Sequence, residues 1–139
     1  VLSVKGAANS LAASRYHLES HFEPAGQQAV FFALGDENPS QHLSERVKEI
    51  PFKVVAASYK SELTDVADVV LPVEMWAEQS GHYLNLEGQL LEGVRCLKPA
   101  EEVRSNLAAL QTLSTALGIS LAGDWQADLN QRTPISALA

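Results

Sequence analysis

The sequence predicts an α/β fold: a small Rossmann-like parallel sheet of about three core strands flanked by helices, with a hairpin and a C-terminal helix. Two observations carry that expectation. Three short apolar runs, at 29–34, 52–57 and 68–72, are each bounded by turn residues, as strands buried on both faces of a parallel sheet are. A helical stripe separates the first two runs. Strand, helix and strand in that order form a βαβ unit, whose crossover is expected to be right-handed.

Each element follows from local signals. Asn9-Ser10 offers a helix cap, and Leu11, Leu18 and Phe22 follow at helical spacing, with Arg15 on the same face. That predicts a helix over 10–22, stopped by Pro24 and Gly26. Ala29-Val30-Phe31-Phe32-Ala33-Leu34 is the first strand, closed by Gly35. Asn38-Pro39 supplies a cap with proline at the first helical position, where its missing N–H costs nothing. Leu43, Val47 and Ile50 form one stripe, and Pro51 ends that helix before the second strand at Phe52. From Ser61 to Val66 there is room for one or two helical turns. Asp68-Val69-Val70-Leu71-Pro72 is the third strand, closed by proline.

The second half changes character. Tyr83–Leu86 and Gln89–Leu91 flank Glu87-Gly88, the signature of a tight hairpin. After Pro99, Glu101 and Glu102 are expected in the first turn of a helix striped by Val103, Leu107, Leu110 and Leu117, with Gly118 as its C′ residue. From Gly123 to Ala139 periodic apolar positions are few and little order is expected. The domain organisation read from this is an α/β domain over 1–122 and a tail over 123–139. Three strands in sequence leave their spatial order open.

Composition narrows the function classes. A chain of 139 residues that is 46% hydrophobic and 19% charged is long enough for one globular domain with a real core. No apolar run approaches the roughly 20 residues of a membrane span. The net charge of −7, with scattered basic residues, argues against nucleic acid or an anionic membrane as partner. The single cysteine, Cys96, suits a reducing cytoplasm and is too few for a disulfide or an iron–sulfur cluster within this stretch. The first residue is Val1, so the chain is expected to be a piece of a longer protein.

Candidate chemistry is sparse. Gly35-Asp36-Glu37-Asn38-Pro39 leaves a strand and enters a helix, the place where α/β sheets hold ligands. Free N–H groups there suit an anion, yet Asp36 and Glu37 already bring two negative charges, so a solvated cap is preferred. His17 and His21 are spaced i, i+4 without a third ligand, and surface histidines explain them better than a metal. Glu62, Asp65 and Asp68 stand three apart but have no nucleophile or partner, and Asp68 reads as a strand-boundary residue. Ser58, Ser61, Ser80 and Thr64 lack a GxSxG setting, so no catalytic residue is assigned. Cys96, beside Arg95, is expected to be packed. Trp76 and Trp125 are expected as core or interface anchors.

One ordered set of residues goes further. The stretch from Ala29 to Glu92 resembles the third domain of the molybdopterin oxidoreductase superfamily. Its marks are the buried strand with Gly35-Asp36-Glu37-Asn38-Pro39, then Ala67-Asp68-Val69-Val70-Leu71-Pro72, then Glu78, Gly81 and Asn85-Leu86-Glu87-Gly88. Within that superfamily, Val69 to Asn85 and the helix from Glu101 to Gly118 are similar to the version in the large iron–sulfur subunit of bacterial NADH–quinone oxidoreductase (complex I). That resemblance implies a structural role without a redox centre of its own. Iron–sulfur clusters would lie in a part of the parent chain outside this stretch. The partners would be the remainder of that large subunit and neighbouring subunits of the peripheral arm, on the cytoplasmic face of the bacterial plasma membrane.

The alternative is a cofactor-binding domain of a molybdenum oxidoreductase such as formate dehydrogenase. In that case the resemblance implies that Gly35, Asn38, Ser58 and Glu62 contact the guanosine or phosphates of molybdopterin guanine dinucleotide. The chain departs from the superfamily pattern at Ser61-Glu62-Leu63-Thr64, where Thr-Glu-Thr is common. It departs again at Gln89, where arginine is usual, and at His82, where threonine is frequent. Those changes remove hydroxyl and cationic groups suited to a phosphate-bearing cofactor. A free-standing α/β binding module is a third, blander expectation.

Overall fold

The structure, a computed structural model, describes residues 9–18, 22–121 and 123–131. Its elements are α1 (Ser10–Arg15), β1 (Ala29–Gly35), α2 (Gln41–Arg46), β2 (Phe52–Ala57), α3 (Glu62–Asp65), β3 (Val69–Pro72), β4 (Gly81–Leu84), β5 (Leu90–Gly93), α4 (Asn106–Ala116) and α5 (Trp125–Gln131). A 3-10 turn at Trp76–Glu78 follows β3. The expected class holds: a three-stranded parallel sheet with helices, a two-stranded antiparallel hairpin and a C-terminal helical region. None of the described helices is long and apolar enough to cross a membrane.

The chain divides into two compact units. The larger, built from 23–80 and 94–120, contains the parallel sheet in the order β1-β2-β3. Both crossovers step the same way across the sheet, so one handedness places α2 and α3 on one face, where they pack together. Val47 and Ile50 from the end of the α2 segment, Leu63 from α3 and Val55 from β2 are the large side chains sealed between them. Burial of this kind contributes roughly 1.5–3 kcal/mol per side chain.

The apolar runs overstated how much of the sheet is covered. Only β2 is buried along most of its length, while every residue of β1 and β3 is half-buried or exposed. A continuous apolar run signals a strand, but burial on both faces needs a second helical layer. Here the one long helix, α4, has no buried residue.

Asp68 confirms its reading as a boundary residue. Its Oδ2 accepts from the Lys53 backbone N–H at 2.7 Å, and the Lys53 carbonyl accepts from the Asp68 N–H at 2.9 Å. The ammonium of the buried Lys53 lies 3.3 Å from the same carboxylate and donates to the Ile50 carbonyl at 2.8 Å. This clamp sets the start of β2 against β3. The Lys53 N–H, with the ammonium behind it, holds the Asp68 carboxyl below its ordinary value.

Several boundaries move. α2 begins at Gln41 with Ser40 as N-cap, so Asn38 and Pro39 remain in the preceding loop. Glu101 and Glu102 likewise lie in a turn before α4, whose cap is Ser105; its hydroxyl accepts from the Ala108 N–H at 3.1 Å. Gly118 does terminate α4 in the left-handed region (φ 68°), with Ile119 N–H donating back to the Ser114 carbonyl.

The smaller unit contains α1, the hairpin β4–β5 and α5. α1 stops at Arg15, because His17 takes a left-handed φ of 56° and Leu18 N–H closes on the Ala13 carbonyl. The expected continuation to 22 passes through 19–21, outside the described residues. Asn9 precedes α1 but does not cap it: its side chain donates to the His82 carbonyl and accepts from the Leu84 N–H, tying α1 to β4. The hairpin loop is wider than Glu87-Gly88. Strand pairing ends at Leu84↔Leu90, and the Asn85 Oδ1 accepts from the N–H groups of both Glu87 and Gln89, folding five residues into the turn. Residues 125–131 of the expected tail form α5 with Leu129 buried; 132–139 lie outside the described residues.

Candidate functional site

The carboxyl ends of the parallel strands lie together, as ligand sites in α/β sheets require. β1 ends in an irregularity: Ala33 pairs with Ala56 and Gly35 with Ala57, leaving Leu34 as the extra residue. Such a bulge re-aims the chain. Gly35 completes it at φ 56°, a region that side-chain-bearing residues rarely adopt, and a Cβ there would meet only the Asn106 amide at 3.8 Å. The Gly35 carbonyl accepts from the Ser58 N–H at 2.8 Å, so the first residue beyond β2 is held against the last of β1.

Two polar groups at this corner have no partner. The Ser58 hydroxyl is shielded from solvent without a hydrogen bond among the described residues. The same holds for the Asp36 Oδ1, although Asp36 Oδ2 accepts from the Trp76 N–H at 2.6 Å. A buried hydroxyl or carboxylate oxygen left unmatched costs free energy, and such atoms mark places where a further group completes the structure. Ser58 opens onto a cleft of about 330 Å³ lined by Ser58, Tyr59, Lys60, Thr64, Asp65 and Pro72, among others. That is at the lower end of small-molecule sites.

The four residues implied by the resemblance separate here. Gly35 and Ser58 are brought into contact. Asn38 is exposed in the loop before α2. Glu62 opens α3, where a capping box of Ser61 and Thr64 holds the first turn, and its carboxylate lies 3.5 Å from the Ser44 hydroxyl of α2. In the sequence, Asp36 beside Glu37 argues against phosphate and carries no other chemical signature. Its signal was its position, directly after the glycine that ends a buried strand.

Other expectations are corrected. Cys96 is exposed rather than packed. Trp76 and Trp125, expected as core or interface anchors, are 61% and 43% exposed, which sets aside the core half of that expectation. His17 is exposed at the end of α1, while His21 lies outside the described residues. Among the described residues no three His, Cys, Asp or Glu side chains group to hold a metal.

Electrostatics decide which part of a nucleotide suits this corner. The loops after β1 and β2 and the short helix α3 carry Asp36, Glu37, Glu62 and Asp65 against one lysine, Lys60. A pyrophosphate would meet net repulsion there. A guanine edge, which presents N–H donors, suits an unmatched carboxylate oxygen and a hydroxyl. By charge and hydrogen-bonding capacity the corner suits a ring edge with N–H donors better than a pyrophosphate.

Comparison with known proteins places the chain in a family. Residues 3–116 match the family model for molybdopterin oxidoreductase. The F420-dependent formate dehydrogenase subunit alpha of Methanocaldococcus jannaschii is 28% identical over 102 residues, covering 69% of this chain and 15% of that protein. A nitrate reductase of Symbiobacterium thermophilum is 28% identical over 109 residues, 74% of this chain and 14% of its own length. The F420-dependent formate dehydrogenase 2 subunit alpha of Methanococcus maripaludis reaches 35% over 69 residues, 45% of this chain and 10% of that protein. The chain thus spans about one-seventh of the first two of these relatives, at 15% and 14% of their lengths. They support the superfamily resemblance, and the narrower resemblance to the large subunit of complex I draws no support from them.

Proposed function

We propose that this chain, which belongs to the molybdopterin oxidoreductase family, is the segment of a formate dehydrogenase-like or nitrate reductase-like subunit that receives the guanosine end of a pterin dinucleotide. The observation that carries this reading is the solvent-shielded, unpartnered Ser58 hydroxyl at the carboxyl ends of the sheet, beside the free oxygen of Asp36. When bound, such a cofactor supplies the redox chemistry of the enzyme. The residues here bind and orient: Gly35 lets the backbone approach closely, Ser58 gives a hydroxyl, and Asp36 accepts from a ring N–H. Glu62, turned toward Ser44, sets α3 against α2 rather than touching the ligand.

The test is a calorimetric titration of the full chain with guanosine diphosphate, repeated with adenosine diphosphate. Saturable binding that prefers guanosine supports the reading. No heat from a folded sample at millimolar ligand overturns it.

The second reading is a structural domain of the large iron–sulfur subunit of complex I whose ancestral pocket is idle, with the clusters carried elsewhere in the parent chain. The exposed Trp76, Leu107, Leu110 and Leu117 favour it, since apolar anchors of this kind dock against partner subunits. An idle pocket predicts no nucleotide binding, so the same titration separates the two.

A further inference from the structure

Beside the unmatched polar groups stand two aromatic side chains that packing does not account for. Tyr59 directly follows Ser58 and is 57% exposed, and Trp76 is 61% exposed. Neither hangs free. The Tyr59 hydroxyl donates to the Met75 sulfur at 3.8 Å, which holds the tyrosine alongside the residue preceding Trp76. Met75 is itself fixed, because its N–H donates to the Glu78 carboxylate at 3.1 Å. The main-chain N–H of Trp76 donates to Asp36, the residue next to the Gly35 whose carbonyl holds Ser58, which sets the indole at this corner. The Tyr59 ring and the main chain of Trp76 are thus tied close to the corner where a hydroxyl and a carboxylate oxygen have no partner. Exposing both costs the chain hydrophobic burial, which a planar ring laid against them would recover.

We infer that Tyr59 and Trp76 form a stacking wall for the planar heteroaromatic ring whose polar edge meets Ser58 and Asp36. This rests on the reading that the site takes a guanosine, and it adds what that reading lacks, a source of affinity. Two hydrogen bonds at an acidic corner bring little net attraction, whereas stacking a base on aromatic side chains needs no charge. The Met75 sulfur at the Tyr59 hydroxyl is soft and adaptable, so it lets the wall adjust to the ring.

The experiment uses the full chain with Trp125→Phe, which leaves Trp76 as the reporting tryptophan of the two in the sequence. Guanosine diphosphate is titrated while tryptophan emission and calorimetric heat are followed together. The expected result is saturable quenching with the same midpoint as the heat. Tyr59→Ala and Trp76→Ala should each weaken binding about tenfold, while Tyr59→Phe and Trp76→Phe stay within about threefold. The aromatic replacements keep the wall and guard against a trivial folding defect. If the parent chain binds but both alanine variants bind equally well, or if binding leaves Trp76 emission unchanged, the stacking wall is overturned and the guanosine reading survives. If the parent chain does not bind, both fall.

Discussion

Replacing Ser58 with alanine should move stability and ligand affinity in opposite directions. In the free chain the hydroxyl is shielded from solvent and unmatched, while the Ser58 backbone N–H is already satisfied by Gly35. Leaving a hydroxyl in that state costs about 1–3 kcal/mol by protein mutational measures. Alanine keeps the backbone bond and removes the stranded group, so the variant should be more stable by about 1 kcal/mol. For a chain of this size that raises the melting temperature by about 3–5 °C. With ligand bound, the same change deletes one hydrogen bond of about 1 kcal/mol, roughly a fivefold loss of affinity for guanosine diphosphate. Differential scanning fluorimetry with and without ligand, backed by calorimetry, reads both effects on one sample. A Ser58→Ala chain that melts lower than the parent would refute the reasoning, because the hydroxyl must then have a partner in the free state.

Two further expectations concern the scaffold. Asp68→Asn should abolish an acid-dependent part of stability. The carboxyl is held below its ordinary value of 3.8, so its contribution is complete above that value and is lost as pH falls through the lowered folded value. Urea midpoints measured from neutral pH down into the acid range should fall for the parent and stay flatter for the variant; parallel curves would discount the Lys53 clamp. Leu63→Ala, at a side chain 1% exposed between α3, α2 and β2, should lower stability by about 2–5 kcal/mol and broaden loss of the larger unit. A loss below about 1 kcal/mol in urea unfolding would mean that the helices do not close this face as described.

The residues that carry the family resemblance turn out to build the fold more than the chemistry. Asp68 clamps two strands, Asn85 folds the hairpin loop, Gly88 takes a left-handed φ of 83° there, and Glu78 closes a turn on Met75. Such residues report architecture wherever they occur together. On the function proposed above, the ligand falls to positions with little signature of their own, such as Ser58 and Asp36. That explains why the resemblance reached the superfamily correctly while its narrower extension to complex I went unsupported by the relatives found.

What the sequence determined by itself was the set of strands and the βαβ order. Apolar runs of five or six residues between glycine and proline can satisfy their backbone only by pairing, so β1, β2 and β3 fall within about a residue of where they were expected. The C′ glycine at 118 was legible for the same reason, because a left-handed residue has few alternatives. The tertiary structure decided the rest. Helix starts slid from Asn38 to Ser40 and from Glu101 to Asn106, the second because the Ser105 hydroxyl caps α4. Asn9 went to the backbone of β4 instead of its own helix. Strand order and the half-exposure of β1 and β3 depended on where α2 and α3 came to rest. So did the candidate site: Asp36 and Trp76 are 40 positions apart in the chain, and the end of β1 draws them, with Gly35 and Ser58, to one corner.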